Sequence, residues 1–70
     1  SRGELDQAIA AYRRAVSLEP TYVQARLNLA AAYGKKGMYE EGMRQYEEVA
    51  KLDPTFAKKL EGLENNRVTE

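Results

Sequence analysis

Seventy residues with 43% hydrophobic content limit the chain to one small domain, which buries only about 60% of the surface that its unfolded form exposes. Eleven basic and eleven acidic residues cancel, so no net field draws in nucleic acid or an anionic membrane. With no cysteine and no histidine, the chain has no disulfide framework, no thiolate or imidazole metal site, and none of the usual thiol nucleophiles or general bases. Ten of its hydrophobic residues are alanines, which implies a core of many small contacts between closely spaced backbones.

From the start of the chain, Leu5, Ala8, Ile9, Tyr12, Ala15, Val16 and Leu18 recur mostly at three- and four-residue steps, the period of a helix with one apolar stripe. Pro20 disfavours helical geometry at Glu19, so this helix is expected to stop near Leu18. Thr21 and Gln24 have the spacing of a capping box for a second helix. Its stripe is Ala25, Arg26 (by its aliphatic stem), Leu29, Ala30 and Tyr33. Lys35 and Lys36 suit its negative end, and Gly37 can take the left-handed conformation that terminates it.

A third helix is expected from Tyr39, with Glu40 and Glu41 at its positive end, burying Met43, Tyr46, Val49, Ala50 and Leu52. Gly42 lies inside it at a cost of about 1 kcal/mol relative to alanine, which points to close approach of a neighbouring backbone. Asp53-Pro54-Thr55 stops and restarts the chain. A weaker fourth helix carries Phe56, Ala57, Leu60 and Leu63 on one side and is expected to end at Asn65-Asn66.

The elements repeat. Pro20 and Pro54 are 34 residues apart, and the same offset pairs Gly3 with Gly37, Tyr12 with Tyr46, Leu18 with Leu52 and Thr21 with Thr55. Conservative pairs fill in between them: Leu5 with Tyr39, Asp6 with Glu40, Ala8 with Gly42, Ile9 with Met43, Ala15 with Val49, Tyr22 with Phe56. A fixed period of this length marks one supersecondary unit that has been copied.

The unit resembles the tetratricopeptide repeat, whose 34-residue pattern runs W-x2-L-G-x2-Y, then A-x3-F, then P. Leu29, Ala30 for the glycine, Tyr33, Gly42 for the alanine, Tyr46 for the aromatic and Pro54 follow it, with Arg26 in place of the tryptophan. The resemblance implies an all-α fold of antiparallel helix-turn-helix repeats stacked as an α-solenoid, with four helices of which the last is a capping type. It divides a single domain, 1–70, into the second helix of a truncated repeat at 3–20, a complete repeat at 21–54, a capping helix at 55–66 and a tail at 67–70. The opening "SRGELDQA", which has no initiator methionine, is expected to belong to a longer protein.

No constellation of residues supports catalysis. Ser17 has no base near it, and Glu40-Glu41 and Glu47-Glu48 are helix neighbours whose side chains diverge. "GKKG" at 34–37 lacks the spacing of a phosphate loop and closes a helix instead of opening one. The expectation is therefore a non-enzyme with no cofactor and no metal, whose partner is a protein or peptide and neither nucleic acid nor membrane.

The surface is what remains. On the second helix, the row off the core stripe is Gln24, Leu27, Asn28, Ala31 and Lys35, and Lys58, Glu61, Gly62 and Asn65 would extend it from the fourth. The resemblance implies that such a row lines a concave, peptide-binding face. Some members of the family clamp a carboxylate with an Asn on one helix and Lys and Arg on the next. Asn28 and Lys58 match those places, but Gly62 stands at the Arg place, so the clamp is not favoured. A second reading is self-association: the first helix lacks its repeat partner, and Ala8, Ile9, Tyr12, Ala15 and Val16 would form an apolar strip for another copy to cover.

Overall fold

The computed structural model of the chain describes residues 2–68, with side chains through residue 62. It contains four helices, α1 (Arg2–Leu18), α2 (Val23–Lys36), α3 (Tyr39–Leu52) and α4 (Pro54–Val68), with no strand among the described residues. Each helix packs on its neighbour in chain order, most extensively α2 on α3, then α1 on α2, then α3 on α4. The radius of gyration is 13.1 Å and the extents are 40 × 26 × 14 Å, against roughly 11 Å expected for a compact domain of this length. The molecule is a thin slab, as hairpins stacked side by side require.

The junctions follow from local chemistry. Pro20 occupies the second place of a turn closed by the Tyr22 N–H donating to the Glu19 carbonyl at 3.0 Å, a position for which its fixed φ is suited. Gly37 has φ 87°; its N–H donates to the Gly34 carbonyl at 3.1 Å, and the Met38 N–H donates to the Tyr33 carbonyl at 2.8 Å. This pair of bonds is a Schellman cap, and Met38 supplies the apolar contact that usually accompanies one by packing on the core cluster. Asp53 ends α3 with its N–H on the Val49 carbonyl and starts α4 with its Oδ1 accepting the N–H groups of Thr55 at 3.0 Å and Phe56 at 3.3 Å. Pro54 sits at the first helical position, where a missing N–H costs nothing.

Ile9, Leu29, Ala32 and Tyr33 form the buried cluster, with Leu5, Tyr12, Val16 and Met38 against it. Ala25, Ala30 and Val49 are also buried, Val49 completely. Gly42 is buried at the crossing of α2 and α3. A Cβ built on it would lie 3.2 Å from the Ala30 carbonyl oxygen and 3.6 Å from the Tyr33 Cβ, which is the close approach expected of a glycine at this place. The rings of Tyr46 and Phe56 stack with centroids 5.8 Å apart and tie α4 to α3.

Four expectations need correction. Thr21 does not cap α2: the N-cap residue is Tyr22, with no side-chain cap bond, because the Pro20 turn places Thr21 one residue outside the helix. Met43 and Leu52, expected in the core, are 48% and 40% exposed, since α2 covers only the Gly42–Val49 side of a broader apolar stripe. Leu18, the counterpart of Leu52, is 73% exposed, so the same position opens in both copies. Finally, α4 continues through Asn65-Asn66 to Val68; two asparagines weaken a helix without stopping it. The side chains of Leu63 and Asn65, and residues 69–70, lie outside the described part.

Candidate peptide-binding face

The row expected on α2 is unevenly exposed. Gln24, Ala31 and Lys35 are exposed, while Leu27 and Asn28 are half-buried. Asn28, Ala31 and Lys35 come together with Leu5, Ala8 and Tyr12 of α1 in a shallow cleft of about 210 Å³. The floor of the cleft is apolar, and its two α2 polar groups sit at opposite ends of a two-turn span. Asn28 is partly engaged, its Oδ1 accepting a bond from Gln24 Nε2 at 3.1 Å.

Lys58 and Glu61 are exposed on α4 and lie outside this cleft. The helix bearing them packs on α3 and, among the described residues, makes no close backbone contact with α2. The Asn65 side chain lies outside the described residues, and Gly62 is exposed.

The strip on α1 is divided. Ile9 is buried against Leu29, Ala32 and Tyr33, so it is unavailable to a second copy. Ala8, Tyr12, Ala15 and Val16 are half-buried, because α2 lies along one side of the helix only. Sequence reasoning had placed the whole stripe on one open face. The period shows which residues are apolar, but not where the next helix will lie.

Arg26 has a role that the pattern did not reveal. Its Nε donates to the Pro20 carbonyl at 2.9 Å and its Nη1 to Gln45 Oε1 at 3.0 Å. The guanidinium thus fastens the α1–α2 turn to α3 and orients the start of the α2 row. An arginine at the place of an aromatic core residue, six residues after the turn carbonyl of Pro20, was the available signal. Lys36 pairs with Asp6, linking the end of α2 to the first turns of α1.

No polar or charged residue is buried among the described residues, and no helix among them is long and apolar enough to cross a membrane. The chemistry on offer is therefore that of a surface.

Comparison with known proteins agrees with this architecture. A family profile described as "TPR repeat" matches residues 1–37, and one described as "Tetratricopeptide repeat" matches residues 23–56. Among curated relatives from Arabidopsis thaliana, the TPR repeat-containing thioredoxin TTL4 is 37% identical over 81% of this chain and 8% of its own length. Hsp70-Hsp90 organizing protein 3 is 38% identical over 74% of the chain and 9% of its own length. The chloroplastic tetratricopeptide repeat domain-containing protein PYG7 is 43% identical over 73% and 17%. The chain thus spans less than a fifth of each of these relatives. TPR repeats are in general interaction modules without catalytic groups. The first profile alone spans more than half of the residues, on the hairpin elements whose packing is described above, and the chain belongs to the tetratricopeptide repeat family.

Proposed function

We propose that this chain is a non-catalytic module for protein–protein interaction that holds a peptide or protein segment along the α2 face, with Gln24, Leu27, Asn28, Ala31 and Lys35 as its contacts and Lys58 and Glu61 at its α4 margin. The observation that carries this reading is the cleft in which Asn28, Ala31 and Lys35 meet Leu5, Ala8 and Tyr12: apolar side chains beside a few polar groups are the kind of lining that holds a ligand. That one relative is named an Hsp70-Hsp90 organizing protein supports a role in assembling proteins. Selection from a random peptide library, followed by titration of the chosen peptides, tests the assignment. Ala31→Glu and Lys35→Glu should each abolish or reverse the preference, and binding indifferent to both would refute it.

A second reading, self-association through α1, rests on the internal repeat. Ala8 and Ala15 are the counterparts of Gly42 and Val49, which are buried against α2, whereas Ala8 and Ala15 are only half-buried. Light scattering across a concentration series decides between the two readings. A strict monomer at high concentration removes the second.

A further inference from the structure

The zero net charge of the chain is not evenly shared. Residues 1–37 hold six Lys and Arg against three Asp and Glu, and three of those six cations meet at one edge of the slab. Arg2 at the start of α1, and Lys35 and Lys36 in the last turn of α2, line a pocket of about 480 Å³ with Leu5 and Asp6. The internal repeat accounts for the convergence. Arg2 and Lys36 each stand directly before a glycine of the Gly3 and Gly37 pair, so they hold the same place in consecutive copies, and stacking the copies sets both on one edge.

The one acid in the pocket is already paired, since Asp6 bonds Lys36. Arg2 and Lys35 are exposed and have no ion pair among the described residues. A recess walled by two uncompensated cations concentrates its field on an entering anion more than an open surface does. The pocket also runs into the α1–α2 cleft, because Leu5 and Lys35 line both. Beyond Lys35 the cleft has no charged lining residue. A ligand lying across the two would meet apolar side chains at Ala8 and Tyr12 and cations at Arg2 and Lys35.

We propose that the peptide held in the cleft carries a carboxylate beside its apolar anchor, and that Arg2 and Lys35 bind it. This rests on the peptide-binding reading above and gives that reading a ligand chemistry. The place is separate from the clamp positions named in the sequence, as Asn28, Lys58 and Gly62 do not line the pocket. A nucleic-acid backbone would need a track of cations, whereas this pocket continues into an apolar cleft.

The test selects short random peptides on the intact chain. The tightest are labelled with fluorescein and titrated by anisotropy at low salt, each also with Asp and Glu replaced by Asn and Gln, and each also as the C-terminal amide. Enrichment of a carboxylate beside a hydrophobic residue is expected, and neutralising it weakens binding about fivefold, the upper scale of a solvated ion pair. Loss on side-chain replacement assigns an Asp or Glu, and loss on amidation assigns the C-terminus; either supports the pocket. Arg2→Glu puts an acid at the favourable end of α1, so circular dichroism should show an unchanged fold. It weakens the acidic peptides by at least as much and leaves the neutralised ones unaffected. Selected peptides without acidic preference overturn the proposal, as does a preference indifferent to both Arg2→Glu and Lys35→Gln. If such peptides still lose binding with Ala31→Glu, the cleft reading stands and the pocket alone falls; if they do not, or if no peptide is selected, both fall. A single-stranded oligonucleotide that binds more tightly than the acidic peptides and is released by Arg2→Glu also overturns the proposal.

Discussion

Gly42 gives the sharpest test of the packing argument, because two effects of similar size oppose each other there. Replacing a glycine within a helix by alanine stabilises it by about 1 kcal/mol. With an unfolding entropy of roughly 2 cal/mol/K per residue, that gain in a chain of this length raises Tm by about 7 °C. At Gly42 the new Cβ would stand 3.2 Å from the Ala30 carbonyl oxygen, a few tenths of an ångström inside a comfortable carbon–oxygen contact. That oxygen belongs to a helix backbone and cannot swing aside as a side chain can, so α2 and α3 must separate slightly. Separation loosens the contact that closes Val49 from solvent and offsets most of the propensity gain.

Gly34 provides the internal control, since a Cβ there meets nothing within 4 Å. The expected result by thermal unfolding followed at 222 nm is that Gly34→Ala raises Tm by up to about 7 °C, while Gly42→Ala changes it by less than about half as much. Gly42→Val, with branches beyond the Cβ, lowers Tm as overpacking costs about 1–3 kcal/mol. If Gly42→Ala stabilises the chain as much as Gly34→Ala does, the close approach of the two backbones does not constrain this position and the reasoning fails.

Other expectations follow from the caps and ties. Asp53→Ala should cost about 1 kcal/mol by leaving the Thr55 and Phe56 N–H groups without their acceptor; a chemical denaturation midpoint equal to that of the parent chain would contradict this role. Gly37→Ala, which forces a side chain into φ 87°, should destabilise the chain by about 1 kcal/mol, in contrast to the gain at Gly34, and calorimetry of the two variants side by side checks the sign. Arg26→Lys should lose the bridge from Pro20 to Gln45, because an ammonium lacks the fixed fork that reaches both acceptors. Faster hydrogen exchange at the α1–α2 turn is the expected signature. Leu29→Ala, at a fully buried position, should cost about 2–5 kcal/mol; loss of cooperative unfolding at room temperature is the expected outcome for so small a domain.

Much of the fold was legible in the residues, because the determining physics is local. The proline at 20 and the Asp-Pro at 53–54 end helices through backbone geometry that no neighbour can override, and α1 and α3 stop at Leu18 and Leu52. Gly37 was readable for the same reason, as a glycine directly after two lysines at a helix end. Thr21 misled because the capping box and the Pro20 turn compete for the same residues, and the turn, closed by the Tyr22 N–H, moved the helix start by one or two positions. Arg26 was legible as a departure from the family pattern but not as a tie, since its acceptor Gln45 lies 19 residues away on another helix.

The candidate face was less legible. Gln24, Ala31 and Lys35 are exposed, yet the residues that meet Asn28, Ala31 and Lys35 in the cleft, Leu5, Ala8 and Tyr12, come from α1, and only the α1–α2 crossing puts them there. Met43 and Ile9 occupy the same place in the two copies of the repeat, one open and the other closed. No feature of either residue distinguishes them; the difference lies in what packs above each.

By itself the sequence determined four helices, their junctions and their 34-residue period, because torsional preference and apolar spacing act over a few residues along the chain. Only the tertiary structure decided which edge of each stripe is sealed and which is left as a groove, since burial depends on the position of the neighbouring helix and the area it covers.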